Sequence, residues 1–166
     1  MKPTFFHHHV PAAINGAFFT AALVTAMFAA VTTNASAAGS NYPSVSTPVT
    51  ELKYGPTGVS DGVHGELMAG PAYGDLAHGA HGTFIKMPAG FVSNVHIHTE
   101  DYWGVVISGV AVNGKPGSKD VALPVGSYWF QKGGESHVTK CISPNECIFF
   151  INQRDKFDYV VDSGKK

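Results

Sequence analysis

The stretch that decides the fold runs from Gly90 to Gly109 and reads GFVSNVHIHTEDYWGVVISG. It is rich in β-branched residues, which favour an extended strand. His96 and His98 stand two residues apart, so on such a strand both imidazole rings leave the same face. Two neutral imidazoles side by side supply half of a four-coordinate metal site. A His-x-His pair without further context is more often a pair of half-buried or surface histidines, so its surroundings decide its interpretation.

A third histidine, His137, lies in another strand-like segment opened by glycine, which reads GSYWFQKGGESHVTKC. Antiparallel pairing of the two segments would bring it opposite His96 and His98. In that arrangement His96, His98 and His137 could together hold one divalent metal ion, a hypothesis that depends on the framing of these segments. Zinc, iron(II), manganese, nickel and copper all accept imidazole ligands, so the pattern does not specify the ion.

Glycines frame both groups of histidines at characteristic offsets. Gly90 and Gly109 enclose the first pair, and Gly126 and Gly134 precede His137. These offsets resemble the two motifs of the cupin superfamily. More narrowly, the segments GTFIKMPAGF, VVISG, GSYW and HVTKC resemble a bacterial cupin family of unknown function, over residues 63–160 or thereabouts. The resemblance implies an all-β fold, the cupin-type double-stranded β-helix or jelly-roll barrel, with three histidine ligands.

Three positions depart from the superfamily pattern. Tyr102 stands where the motif has a metal-binding glutamate, Lys132 where it has proline, and Cys141 where it has asparagine. The three histidine ligands of the superfamily motif are therefore present in this chain, whereas its fourth ligand, the glutamate, is not.

Strand alternation leaves two candidates for the fourth position. If the strand continues beyond His98, Glu100 and Tyr102 look inward and Asp101 looks outward. The bend that the cupin pattern places here favours Tyr102. A phenol with a pKa near 10 is a poor ligand for a divalent ion. Its hydroxyl can donate a hydrogen bond to a metal-bound water or a substrate oxygen, which makes Tyr102 the candidate catalytic residue.

The first 37 residues have the organisation of a secretory signal peptide. Lys2 precedes an uncharged apolar run between Val10 and Val31, and Ala35-Ser36-Ala37 supplies a small-residue cleavage site. The alternative is a membrane anchor, but Pro11 and Gly16 leave the run shorter than the roughly 20 apolar residues that a bilayer span needs. We therefore expect a periplasmic or secreted protein with no membrane association after cleavage.

The remaining chain predicts one domain. Residues 38–62 are rich in serine, threonine, proline and glycine and are interpreted as an N-terminal arm or leader strand, while residues 63–166 form a single cupin domain. The whole chain of 166 residues has 11 basic and 12 acidic side chains, so no basic surface for nucleic acid is expected. The resemblance, together with the arm, predicts a homodimer held by strand exchange or by sheet packing.

Short apolar runs divided by glycine and proline turns predict the strands, and no segment of the remaining chain has convincing helical periodicity. The predicted strands are 66–69, 83–87, 92–97, 105–112, 121–123, 127–131, 138–142 and 147–152. The other histidines of this part of the chain precede the motif and are expected to have surface or core roles: His64, His78 and His81.

Cys141 and Cys147 flank a Pro144-Asn145 turn, and in an exported protein they can pair across a hairpin. The alternative is a free Cys141 thiol near the metal, since it stands four residues beyond His137 on the same strand face.

Three functions remain open, of which one is a degenerate cupin that binds no metal, and the three intact histidines count against it. The first is a metal-dependent enzyme of oxygenase, lyase or isomerase type that acts on a small organic molecule. The second is a non-catalytic ligand-binding or sensor cupin with a structural metal or none. The fold does not choose between them, because one scaffold hosts many functions.

Overall fold

The computed structural model describes residues 43–164. The predicted signal peptide, residues 1–37, and the first residues of the predicted arm lie outside this range. Within it, no helix is long and apolar enough to cross a membrane. The helical structure of this range is a single 3-10 turn, Val49–Glu51.

Ten β-strands account for the regular structure of the described residues. They are β1 Gly55–Ser60, β2 Glu66–Gly74, β3 His81–Met87, β4 His96–Ile97, β5 Tyr102–Ser108, β6 Ala111–Gly114, β7 Tyr128–Gln131, β8 Val138–Cys141, β9 Cys147–Gln153 and β10 Val160–Val161. The all-β prediction is confirmed.

The strands pair in an antiparallel manner into one large sheet and two small ones. The large sheet has the order β1-β2-β3-β9-β5-β7, and the small sheets pair β10 with β4 and β6 with β8. Isolated bridges extend the small sheets, joining Val92 to Lys140 and His96 to His137. Neighbours distant in sequence, such as β3 and β9, are typical of jelly-roll connections.

Strict alternation defines an inner and an outer face of the large sheet. In β5, Tyr102, Gly104 and Val106 are buried, whereas the residues between them are exposed. In β9 the buried residues also alternate, from Cys147 to Gln153. The inner face packs against apolar side chains of the second wall, which are Phe91, Ala111 and Cys141. The interior between the two walls is therefore the core.

Glycine is required where the chain turns between β5 and β6. Gly109 has a φ of 79°, which places it in the left-handed region, and a Cβ there would lie 2.8 Å from Ser143 Oγ and 2.9 Å from Cys147 Sγ. A residue with a side chain would be strained and crowded at this position. The turn at Gly109 divides the predicted strand 105–112 into β5 and β6.

The structure departs from the predicted strands at several further places. The segment 92–97 is a strand only at His96–Ile97, and Leu123 makes only an isolated bridge to Ala111. β1 lies inside the predicted arm and pairs with β2 of the same chain. β10 was not predicted. Short or irregular strands of this kind carry too few alternating residues to stand out in a sequence.

The predicted disulfide is present between Cys141 and Cys147, with a Cα–Cα distance of 5.7 Å. It joins the end of β8 to the start of β9 across the Pro144-Asn145 turn. The alternative of a free Cys141 thiol near the metal is therefore wrong.

Candidate metal centre

The two histidine segments lie beside each other on antiparallel backbone. The His96 N–H donates to the His137 carbonyl at 3.1 Å, and the His137 N–H donates to the His96 carbonyl at 2.9 Å. A further bond, from Gly134 N–H to the His98 carbonyl at 2.8 Å, extends the pairing. This register brings the three imidazoles together, as the strand spacing predicted.

The three side chains form one buried cluster. Each offers a ring nitrogen, and these nitrogens lie within 4.8 Å of one another. The exposed fractions are only 3% for His96, 2% for His98 and 1% for His137. Imidazoles that are this close and this buried form a donor set that divalent transition metals accept.

Backbone carbonyls fix the orientation of each ring. Nδ1 of His96 donates to the Asn94 carbonyl at 2.8 Å, and Nδ1 of His137 donates to the Glu135 carbonyl at 3.2 Å. Nδ1 of His98 donates to the Asp158 carbonyl. A carbonyl only accepts, so each Nδ1 carries the hydrogen and each Nε2 keeps a free lone pair. The Nε2 atom of His137 is buried without a hydrogen-bond partner. This arrangement fits a metal bound by three Nε2 atoms.

Burial keeps the three rings neutral at physiological pH. Desolvation lowers the pKa of His96 to about 4. Desolvation, reinforced by the neighbouring His96 and His98, lowers the pKa of His137 to about 3. The pKa of His98 is also lowered, again mainly by burial. Because a metal competes with protons for the same lone pairs, neutral rings favour metal binding.

Tyr102 is the inward-facing residue at the fourth position. Its ring centroid lies 5.0 Å from that of His98, and its side chain is buried. Desolvation raises the pKa of its phenol well above the ordinary value, so the hydroxyl keeps its proton. The side chain therefore has the chemistry of a neutral hydrogen-bond donor.

Glu100 does not join the cluster, because its side chain is exposed. The backbone bends at Thr99 and Glu100 between β4 and β5, so the alternation that would have turned Glu100 inward stops at His98. The Glu100 carbonyl instead accepts from Gln153 Nε2 at 3.4 Å. The expectation that Glu100 could look inward is wrong for this reason.

The C-terminal segment supplies neighbours that the sequence interpretation missed. Tyr159 stacks on His96 with ring centroids 4.1 Å apart, and Phe157 packs against His98 at 4.6 Å. β10 holds this segment in place by pairing with β4. The alternation of aromatic and polar residues from Phe157 to Val160 is the sequence signal that could have identified it.

His81 is also closer to the site than its loop-like sequence context suggests. It begins β3 and is fully buried, with Nδ1 2.9 Å from Thr83 Oγ1. Nε2 lies 3.4 Å from Gln153 Oε1, and the ring meets Phe157 edge to face. A core role, one of the two roles expected for it, accounts for these contacts. His64 and His78 are exposed and pair with nearby aspartates.

A pocket of about 50 Å³ is lined by two of the three histidines, His96 and His98. Apolar residues of the large sheet form most of its wall, and His96, His98 and Tyr102 line its polar end. Among the aromatic residues of the strands, Phe149 lines the pocket, whereas Trp103, Tyr128 and Phe130 are exposed.

Residues 61–163 match the family described as Domain of unknown function (DUF4437). The chain belongs to this family. The matched residues cover almost the whole of the described range, including all three histidines and the C-terminal segment. A comparison with curated proteins finds no significant match.

Solved structures with a similar fold are cupins and cupin enzymes. The polyketide cyclase RemF from Streptomyces resistomycificus aligns with a TM-score of 0.59 and 14% identity, over 72% of this chain and 85% of that one. An RmlC-like cupin from Ralstonia eutropha aligns with a TM-score of 0.56 and 17% identity, over 75% and 76%. The DMSP lyase DddQ from Ruegeria pomeroyi aligns with a TM-score of 0.55 and 16% identity, over 69% and 63%. The family member described here therefore has the cupin fold.

Proposed function

We propose that this chain is a metal-dependent enzyme that acts on a small organic molecule, with His96, His98 and His137 as ligands of one divalent ion. The supporting observation is the shared orientation of the three rings. Every Nδ1 is held by a backbone carbonyl, which leaves every Nε2 free in a buried cluster. When bound, a divalent ion would supply Lewis-acid chemistry at a substrate oxygen for a lyase or isomerase reaction, whereas an oxygenase reaction would require iron at the same three histidines.

Side chains of the pocket and of the metal centre have further roles in the proposed reaction. Three imidazoles leave coordination positions open, which a catalytic site needs and a closed structural site lacks. The apolar wall of the pocket keeps water away and strengthens electrostatic interactions inside it. Tyr102, whose phenol stays protonated and hydrogen-bonds with Trp129 and Thr139, would exchange one of these contacts to donate to a substrate oxygen. These roles suit a reaction that develops negative charge on that oxygen.

A non-catalytic ligand-binding cupin is the second candidate, and the composition of the pocket favours it. Among the described residues, none that lines the pocket carries a carboxylate. Proton abstraction would therefore depend on groups other than Asp or Glu. In this alternative the same three histidines hold a structural ion. A bound molecule is then released without chemical change. Product analysis after incubation of the metal-loaded protein with candidate ligands separates the two functions.

Metal analysis of purified, untagged protein tests the ligand assignment. Wild-type protein is expected to carry about one equivalent of a divalent metal, and His137→Ala is expected to lose it because two imidazoles hold such ions weakly. His64→Ala is the matched control, since His64 is an exposed histidine that pairs with Asp61. Full occupancy in His137→Ala, or loss of metal in His64→Ala, would contradict the assignment.

We also propose that the protein is exported and that residues 1–37 are removed. The signal-like sequence of this segment and the Cys141–Cys147 disulfide support the proposal, because disulfides persist outside the cytoplasm. Intact-mass measurement of protein from the producing cells is expected to give a chain that begins at Ala38. A full-length chain retained in the membrane fraction would exclude it.

The outer face of the large sheet supports a homodimer formed by sheet packing. Trp103, Ile107, Tyr128 and Phe130 lie on this face with exposed fractions of 38%, 44%, 73% and 49%. A cluster of exposed aromatic residues of this kind is typical of an association surface. Light scattering is expected to give a dimer for the wild type and a monomer for Phe130→Glu. Val63→Glu, at an exposed position away from the sheet, serves as control.

A further inference from the structure

The composition of the pocket beside His96 and His98 carries an inference about the ligand. We infer that the pocket binds a small, uncharged, largely hydrocarbon molecule. This molecule carries a single oxygen atom, which lies at the histidine end and can bind the metal. The inference rests on the proposed function for the placement of that oxygen. The uncharged character follows from the pocket itself.

Within residues 43–164, no charged side chain lines the pocket. Among its lining residues there is no lysine, arginine, aspartate or glutamate. A ligand carboxylate away from the histidines would therefore lose its hydration without gaining a cationic partner, and a ligand ammonium would lack an anionic one. Burial of an unpaired charge costs far more than burial of a neutral group of the same size.

The threonine and serine hydroxyl groups of the pocket are already engaged with the protein. Thr57 Oγ1 donates to the Leu67 carbonyl at 2.8 Å, and Ser93 Oγ donates to the Asn94 carbonyl at 2.9 Å. Thr139 Oγ1 donates to Asn113 Oδ1 at 2.9 Å. These hydroxyl hydrogens are consequently not free for a sugar or another polyhydroxylated ligand. Polar recognition is left to the histidine end, where Tyr102 lies and where Tyr159, whose hydroxyl is buried without a partner among the described residues, stacks on His96.

Apolar side chains form the wall opposite the histidines. Val59 and Leu67 come from β1 and β2, and Ile85, Phe149 and Ile151 come from the central strands β3 and β9. The volume of about 50 Å³ is far below the roughly 300–1,000 Å³ of sites for drug-sized ligands. The pocket therefore fits a short hydrocarbon chain rather than a large ring system.

Butan-2-one and propionate provide a matched pair of probes, because they have the same number of non-hydrogen atoms and differ in charge. Binding of each is measured by ligand-detected NMR titration of the full protein, once metal-free and once loaded with one equivalent of Zn²⁺. In the metal-free protein we expect the ketone to bind at least about tenfold more tightly than propionate. Equal or tighter binding of propionate there, or no measurable binding of the ketone, would overturn the inference.

A pocket variant gives an independent test. Leu67→Lys places a cation in the wall and is expected to reverse the preference, so that propionate binds more tightly than butan-2-one. Val63→Lys adds the same charge at a position that is 81% exposed and is expected to leave the preference unchanged. If Leu67→Lys fails to fold, Val59→Lys at the same wall replaces it. An unchanged preference in the folded pocket variant would contradict the inference.

The two proposals fail separately. If wild-type protein binds no metal but the metal-free protein still prefers the ketone, the proposed enzyme function falls and the uncharged character of the ligand stands. If metal binds and propionate is preferred in the metal-free protein, the metal site stands and the ligand class falls.

Discussion

The two ends of the barrel interior are buried to the same degree but are chemically opposite. At one end, Cys141 and Cys147 close β8 onto β9, and the neighbouring buried groups are Met87 and Ala111. At the other end, β8 begins beside His137 and β9 ends at Gln153. The buried side chains at this histidine end are polar: His81, His96, His98, Gln131, His137 and Gln153.

The chemical difference between the two ends indicates that the disulfide end stabilises the fold and that the histidine end is the functional one. Apolar burial at the disulfide end stabilises the fold at about 25 cal/mol per Å² of surface removed from water. Burial of imidazoles at the histidine end costs free energy unless each is hydrogen-bonded. The three Nδ1 atoms are satisfied by carbonyls, whereas the Nε2 atom of His137 is not. Because burial of these imidazoles costs free energy, the histidine end is where we expect a ligand or metal to bind.

Acid should weaken the histidine end, and this is the largest effect we expect. The unfolded chain takes up protons on its histidines below pH 6.5, whereas folded His96 and His137 stay neutral until about pH 4 and about pH 3. Falling pH therefore favours the unfolded state. Stability should be full above pH 6.5 and should decrease progressively towards pH 4, by about 1–2 kcal/mol per buried histidine at pH 5.

Chemical denaturation of metal-free protein at pH 7 and pH 5 measures this change. His137→Gln removes one of the buried titrating groups and should therefore give a smaller difference between the two pH values. An identical difference in the wild type and in this variant would show that the histidine end does not govern acid stability.

Crowding at the disulfide end can be separated from backbone strain by two glycine substitutions. Gly109→Ala adds a Cβ within 3 Å of Ser143 Oγ and Cys147 Sγ at a positive φ, and should cost about 3 kcal/mol or more. Gly126→Ala has a similar φ of 85° but open space around the new atom, and should cost only about 1–2 kcal/mol. Equal unfolding free energies for the two variants would mean that close packing at the disulfide end contributes nothing.

Removal of the disulfide should affect stability but not the histidine end. The bridge spans a sequence separation of only 6 residues, so the double variant Cys141→Ala, Cys147→Ala should lose about 2 kcal/mol. Denaturant unfolding measures the loss, and metal analysis of the same sample should give wild-type occupancy. A parallel loss of metal would mean that the two ends are coupled.

Tyr102→Phe should have the smallest effect on stability. The variant keeps the buried ring beside His98 and removes only the hydroxyl, so the free energy of unfolding should change by less than about 1.5 kcal/mol. Metal occupancy should stay at the wild-type level, because the phenol is not expected to be a ligand. Loss of metal would instead make Tyr102 part of the coordination sphere.

Local sequence was sufficient for the features that depend on near neighbours. The spacing of His96 and His98 predicted a shared strand face, because alternation is a property of any extended chain. The glycines that flank the histidines supported the resemblance to cupins. This resemblance predicts that His137 lies opposite His96 and His98. The Cys141–Cys147 pair follows from a short hairpin.

Tertiary structure alone decided the features that join distant segments. The carbonyl that orients His98 comes from Asp158, 60 residues further along the chain. Tyr159 and Phe157 reach the same histidines because β10 pairs with β4, and Glu100 turns outward because the chain bends before β5. Alternation predicts which face a residue takes only while a strand continues. It does not specify where a strand breaks or which remote segment packs against it, because these depend on the burial and hydrogen bonding of the whole fold.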